Sequence, residues 1–149
     1  MSSTISNASL TVTVSEKLTL NGTEHGSTKK MTISGINEVS KRIMTAPTTG
    51  VQVYAGSTAA GLGTYVTNNV KYIRITNLDD TNYIVIHLEG NSHYAQLTLA
   101  AGQVFFLCDV SGVFDSADAV ASFTANDITR IDVMANTEAV DIELMVASA

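Results

Sequence analysis

Between residues 70 and 146 the chain repeats one pattern: short runs in which every second residue is apolar, separated by clusters of Asn, Asp, Gly and Ser. Residues 70–76, 83–89, 94–99 and 104–110 read as four consecutive strands. Within the second, Ile84, Ile86 and Leu88 face one side and Tyr83, Val85 and His87 the other, because side chains alternate along a strand. The breaks at 77–82, 90–92 and 100–103 are short, which favours antiparallel neighbours. Two more strands are expected at 128–135 and 140–146, the last with Ile142, Leu144 and Val146 inward and Asp141, Glu143 and Met145 outward. There is no βαβ rhythm and no repeat period. The apolar faces must therefore bury one another in two packed antiparallel sheets or a closed barrel.

The first half is less regular. Leu10, Val12 and Val14 alternate with Thr11, Thr13 and Ser15, and Leu18 and Leu20 resume after an interruption that suggests a bulge. Asn21-Gly22 is the strongest short hairpin-turn signal, and the polar residues 23–30 read as a loop. Residues 31–33 form a short expected strand. Residues 36–44 place Ile36, Val39 and Ile43 at helical spacing, which predicts one or two helical turns or an irregular connection ended by Pro47. Residues 51–54 form another strand, and 56–69 a long loop of small residues. Its Gly61-Leu62-Gly63 lacks the third glycine and the strand-to-helix context of a dinucleotide fingerprint. The polar, Ala-rich stretch 111–126 is expected to hold a helical turn around 118–123. These signals sum to about eight or nine strands in an all-β, jelly-roll-like antiparallel β-sandwich. The expected organisation is one domain over 10–149 and a flexible N-terminal arm over 1–9, which either orders on a neighbour or frays. Without Trp or a Cys pair, the antibody-like sandwich signature is missing.

Charged residues make up 15% of the 149, well below the usual quarter, and Thr, Ser and Asn take their place. Such a surface suits subunit contacts, where charge is depleted, and equally suits a β protein with an uncharged polar exterior. The net charge of −6 disfavours nucleic acid and anionic membranes, and Lys29-Lys30 and Lys41-Arg42 are the only adjacent basic pairs. No apolar run approaches membrane-spanning length, and the first residues lack the marks of a signal peptide, so folding in the cytoplasm is expected. The sequons at Asn7 and Asn21 carry no weight without export. The lone Cys108, inside the run Val104-Phe105-Phe106-Leu107-Cys108, reads as a buried, inert thiol.

No constellation for chemistry stands out, so no catalytic, cofactor-binding or metal residue is assigned and the chain is read as not an enzyme. His25 sits in a polar loop. His87 and His93 could face each other across the turn at 90–92, but a metal would need further ligands. Asp79-Asp80 lacks the ligand spacing of a calcium loop and reads as an Asx-rich turn. Ser92 and His93 are sequence neighbours that point to opposite faces of a strand, and no Gly-x-Ser-x-Gly is present. Paired glycosidase carboxylates leave no signature in spacing, but 6% aromatic residues and no Trp supply a sugar-stacking cleft poorly.

The run Lys71-Tyr72-Ile73-Arg74-Ile75-Thr76-Asn77, its Asp/Asn turn through Asn82, and the strand Tyr83-Ile84-Val85 resemble small virion proteins of tailed bacteriophages. Leu97-Thr98-Leu99-Ala100-Ala101-Gly102-Gln103-Val104-Phe105-Phe106-Leu107 is similar to their L-x-L-x-x-G-x-x-F-x-L hairpin, and Ile131-Asp132-Val133-Met134-Ala135 with Val140-Asp141-Ile142-Glu143-Leu144 fits the same pattern. The resemblance covers roughly residues 70–146. It implies a jelly-roll or sandwich subunit, assembled in the host cytoplasm, that coats or cements a capsid or joins a tail. Its partners would be the major capsid protein or other virion proteins, and it would form a homo-oligomer, a trimer among the candidates. The alternative is a receptor- or glycan-binding module of a tail or surface fibre, with loops 56–69 and 111–126 as its rim and Tyr65 and Phe114 as contacts.

Overall fold

The computed structural model describes residues 4–117 and 122–149. Its strands are β1 (Ala8–Ser15), β2 (Thr19–Leu20), β3 (Thr23–Glu24), β4 (Thr28–Ile36), β5 (Glu38–Ala46), β6 (Val51–Ser57), β7 (Tyr65–Val66), β8 (Val70–Asn77), β9 (Ile84–Gly90), β10 (His93–Leu99), β11 (Val104–Leu107), β12 (Arg130–Ala135) and β13 (Val140–Ser148). One 3-10 turn, Thr67–Asn69, is the sole helical element among the described residues.

Four strands, in the order β11-β8-β13-β5, form one sheet, and β10-β9-β12-β6-β7 form the other. Leaving out the short β7, β5 pairs with β13, β6 with β12, β8 with β11 and β9 with β10, all antiparallel. The first strand of the body thus pairs with the last, the second with the seventh, the third with the sixth and the fourth with the fifth. That is one long hairpin rolled up into two facing sheets, the jelly-roll arrangement the alternating pattern predicts.

Alternation fills the space between the sheets. Ile73 and Ile75 of β8 and Ile142, Leu144 and Val146 of β13 meet Ile84 and Ile86 of β9 and Ile131 and Val133 of β12 in one core, all at most 1% exposed. Each such side chain contributes about 1.5–3 kcal/mol of burial. Asn77 is a polar residue among them: its buried side-chain amide donates to the Asn82 and Leu99 carbonyls at 2.9 and 3.2 Å, and its Oδ1 accepts the Asp79 N–H at 3.0 Å. It locks the β8–β9 connection to the end of β10.

The remaining strands make a ribbon. β1 pairs with β4 from Ala8↔Ile36 to Ser15↔Thr28, and β2 with β3 at its tip. Asn21 and Gly22, at φ +50° and +79°, form the expected tight turn, and Ala8 and Ser9, assigned above to the arm, lie within β1. The ribbon's base packs Leu10, Val12, Ile33 and Ile36 on Tyr72, Met145 and Ala147, on the outer face of the four-stranded sheet.

The strands number thirteen rather than eight or nine, the added ones being β5 and the short β2, β3 and β7, and further expectations differ. Residues 36–44 hold no helical turn: Ile36 ends β4, the chain turns at Asn37, and Val39 and Ile43 lie on the outer side of β5. Helical spacing arose because two strands were read as one segment. The loop expected over 23–30 is instead the ribbon's tip and the start of β4. Both faces of that part of the ribbon meet water, so no apolar alternation marks it. Cys108 is exposed rather than buried. Phe105 and Leu107 of β11 enter the core while Phe106 does not, and Cys108 continues the outward parity of Val104 and Phe106. Of the helical turn expected at 118–123, residues 118–121 lie outside the described part, and Phe123 is exposed coil.

The β9–β10 turn holds Asn91 and Ser92 at φ +49° and +64°, a geometry that suits glycine at the second position. Gly90, just before it, sits so close that a Cβ would overlap the Asp127 carbonyl oxygen. Ser92→Gly should therefore raise the unfolding free energy in urea by up to about 1 kcal/mol, while Gly90→Ala lowers it.

Candidate functional site

The three histidines do not come together. His87 points outward from β9, where its ring stacks on Tyr94 at a centroid distance of 5.8 Å and its Nδ1 lies 3.3 Å from Gln96 Nε2. His93 has the opposite parity and faces the 111–126 stretch. Its Nδ1 is 2.8 Å from Ser116 Oγ and 3.1 Å from Asp115 Oδ1, and it accepts the Ser116 N–H at 3.2 Å. Sequence spacing gave no sign of this cluster, since 22 residues separate His93 from Asp115. It has the composition of a Ser-His-Asp triad without its geometry. A relay needs the hydroxyl and the carboxylate on opposite ring nitrogens, and here both contact Nδ1. The cluster is a clip that fastens the loop, aided by the edge-on contact of His93 with Phe114 and by the Thr124 N–H donating to Asp115 at 2.7 Å.

Asp79 is likewise occupied. Its Oδ1 accepts the N–H groups of Asn82 and Thr81 at 2.6 and 2.7 Å, which hold its carboxyl below its ordinary value of 3.8. The Asx turn is what the structure holds there. Among the described residues no group of three or more His, Cys, Asp or Glu side chains is placed to hold a metal. A hollow of about 410 Å³ lies between Gly56, Val66, Thr67, Asn68, Asp127 and Thr129. Next to it the Tyr54 hydroxyl is buried near the Thr67 hydroxyl, and burial pushes its pKa up to about 12.

The two outer faces differ in chemistry. On the five-stranded sheet, strand register lines up Gln96, His87, Asp132 and Gln52 in one row, since each pairs directly with the next. At about 4.8 Å between strands the row spans about 14 Å. Tyr94, Glu89 and Arg130 form the row on one side, and Thr98, Val85 and Met134 the row on the other. Arg130 Nε donates to both oxygens of Asp132 at 3.0 and 2.9 Å and lies 3.9 Å from Glu89. A shallow groove of about 260 Å³ runs over Gln52, His87, Gln96, Arg130, Asp132 and Met134.

On the four-stranded sheet the centre is an ion-paired strip in which Glu143 meets Arg74 and, at 3.4 Å, Lys41. At its β11 margin, Val104 and Phe106 are open to solvent at 50% and 36% exposure. The ribbon's base crosses this face over Tyr72, Met145 and Ala147 and then leaves it, and Val39 and Ile43 on the outer side of β5 stay open at 58% and 66% exposure. From residue 13 to residue 30 every side chain except Gly26 is exposed, including Val14, Leu18 and Leu20. The tip holds its shape through Glu24, whose carboxylate accepts the Gly26 and Leu18 N–H groups at 2.9 and 3.2 Å and the Thr19 hydroxyl at 3.0 Å. It is wired within itself and stays exposed.

Phe114 and Tyr65, the loop aromatics expected to be open to a ligand, are committed elsewhere. Phe114 is 7% exposed in the core, and Tyr65 packs against the core and stacks on Tyr54 at 5.7 Å. No family model matches this chain, and neither a curated protein nor a solved structure matches it.

The Arg74 guanidinium holds the Glu143 carboxyl below its ordinary value of 4.5, with Lys41 adding to the effect. A depressed carboxyl stabilises the fold in full above its unfolded pKa, and that contribution is lost as pH falls through the folded one. Urea titrations from pH 7 to pH 3 should find the native chain more stable than Glu143→Gln at neutral pH. The gap should close below about 4.5. A gap constant across that range would contradict the assignment.

Proposed function

We propose that this chain is a non-enzymatic structural protein of a bacteriophage particle, a capsid decoration or cement protein that stabilises the shell by protein–protein contact. The observation that carries this reading is the ribbon. A two-stranded ribbon is marginal in water on its own, yet this one extends for residues 13–30 with Val14, Leu18 and Leu20 uncovered. Open strand edges and unsupported apolar side chains are what a protein gains by meeting a partner, and a liability otherwise. The resemblance of roughly residues 70–146 to small phage virion proteins supports the same reading, with the major capsid protein or another virion protein as partner.

The test is co-sedimentation with purified shells of the phage that encodes the chain. Binding to assembled shells, without binding to free shell subunits, is expected. A chain that ignores shells and stays monomeric at high concentration would remove the reading.

One observation favours a second reading, a receptor- or glycan-binding module of a tail or surface fibre. The row Gln96-His87-Asp132-Gln52 offers planar hydrogen-bonding groups beside an aromatic ring, Tyr94, at 54% exposure, and the apolar Val85 and Met134. Amides and a ring beside apolar floor are groups that can hold a neutral polyhydroxylated ligand. On a glycan array this reading expects binding that Gln52→Ala and Tyr94→Ala abolish, and a blank array removes it.

A further inference from the structure

We infer that β10 of one copy pairs edge to edge with β10 of a second copy about a two-fold axis at Gln96, joining the two five-stranded sheets into one. The inference goes beyond the contact-protein reading by naming a contact between copies of this chain.

The backbone supplies the first part of the argument. The two-residue turn at Asn91-Ser92 makes Gly90 and His93 a hydrogen-bonded pair, and such pairs alternate along an antiparallel ladder. His93, Ala95, Leu97 and Leu99 therefore spend their N–H and C=O groups on β9, and Tyr94, Gln96 and Thr98 direct theirs away from it. The far side of β9 agrees: Glu89, opposite Tyr94, gives its carbonyl to the Thr129 N–H at 2.9 Å, on the β12 side. β10 is the last strand of its sheet. Among the described residues, no hydrogen bond from another segment reaches the backbone of Tyr94, Gln96 or Thr98. One edge thus holds three N–H and three C=O groups in a row, a template for a further strand.

The match of this edge to itself selects a second copy as that strand. An antiparallel neighbour uses all of these groups only if its own outward residues stand opposite Tyr94, Gln96 and Thr98. With β10 as the neighbour, that register is Tyr94↔Thr98, Gln96↔Gln96 and Thr98↔Tyr94. It sets polar groups against polar groups on the outer side and Ala95 against Leu97 on the inner side. Ala95 and Leu97 are only partly buried at the margin of the core, so each copy extends the apolar cover of the other. His93–Leu99 contains no Asp, Glu, Lys, Arg or Pro and no register break, so the pairing opposes no like charges. The other edges carry the devices that discourage such pairing. β5 has Glu38, Lys41 and Arg42, β4 has Lys29 and Lys30, and β1 breaks register between Ala8 and Leu10. β2, β3 and β7 are two residues long and β11 four. Because β10 meets itself, the contact is isologous and closes at two copies.

The native chain should run as a dimer, or as an assembly of dimers, by light scattering. Gln96 stands opposite itself on the axis with its side chain exposed, so Gln96→Lys and Gln96→Glu are compatible with folding and bring like charges together. Each variant alone should self-associate about fivefold more weakly, the scale of a like-charged cross-strand pair. An equimolar mixture, with one variant mass-tagged, should form mixed dimers at least as tightly as the native chain. Gln96→Pro deletes an N–H that the β9 ladder does not use and should abolish pairing.

A native chain that stays monomeric at high concentration overturns the inference. So does self-association that both charge variants leave unchanged, or a loss in both that their mixture does not restore. A native monomer that binds shells overturns this inference and leaves the contact-protein reading standing. A self-paired chain that ignores shells supports the inference and counts against the shell as partner.

Discussion

The nested antiparallel pairing, β5 with β13, β6 with β12, β8 with β11 and β9 with β10, governs the two-sheet body of this molecule. Each pair must keep its register, because side chains alternate with a period of two and a slip of one residue moves a whole apolar row from the core to water. The core makes the slip costly. Ile73, Ile75, Ile84, Ile86, Ile131, Val133, Ile142 and Leu144 all lie inward, and no one of them can move outward without its neighbours on the same strand. Two irregularities are absorbed within this frame. One lies between Ile131 and Asp132, opposite β6, where both Val53 and Tyr54 are buried, and the other between Ala147 and Ser148, at the end of β13.

The same register determines the two exterior surfaces. Once Ile86 and Leu88 face inward, His87 must face outward and meet Gln96 and Asp132. Once Phe105 and Leu107 face inward, Val104 and Phe106 must face out. One sheet therefore presents a polar row with a shallow groove, and the other an ion-paired strip with an apolar margin. The ribbon lies outside this frame. Its base is seated on the sheet, and its tip relies on Glu24 and the Asn21-Gly22 turn for its shape. The base is thus held by a small apolar cluster of its own, with Ile36, Tyr72 and Ala147 buried, while the tip stays exposed.

How much could be read from the chain beforehand follows from burial. β8, β9, β10, β12 and β13 were legible because one face of each meets the core and the other meets water or the ribbon, which writes alternation into the residues. β5 is an edge strand whose inward positions include Ser40 and Arg42, so its alternation is blurred and helical spacing fits as well. The start of β4 is polar on both faces and carries no pattern. Cys108 was misplaced because an apolar run was read as burial on both sides, whereas the outer side of β11 is an open margin. The rows of the exterior faces and the clip at His93, Asp115 and Ser116 depend on which strands and loops become neighbours. No local spacing records that.

We propose that this protein works by contact and that the ribbon is a contact element. Amide hydrogen exchange over residues 13–30, measured on the isolated chain at low concentration and on the assembled form, decides between the two outcomes. Exchange within seconds is expected in the isolated chain, as for a ribbon open to water, with strong slowing of β1 to β4 on assembly. Ribbon amides that exchange equally fast in both states, with new protection confined to the jelly-roll body, would contradict it.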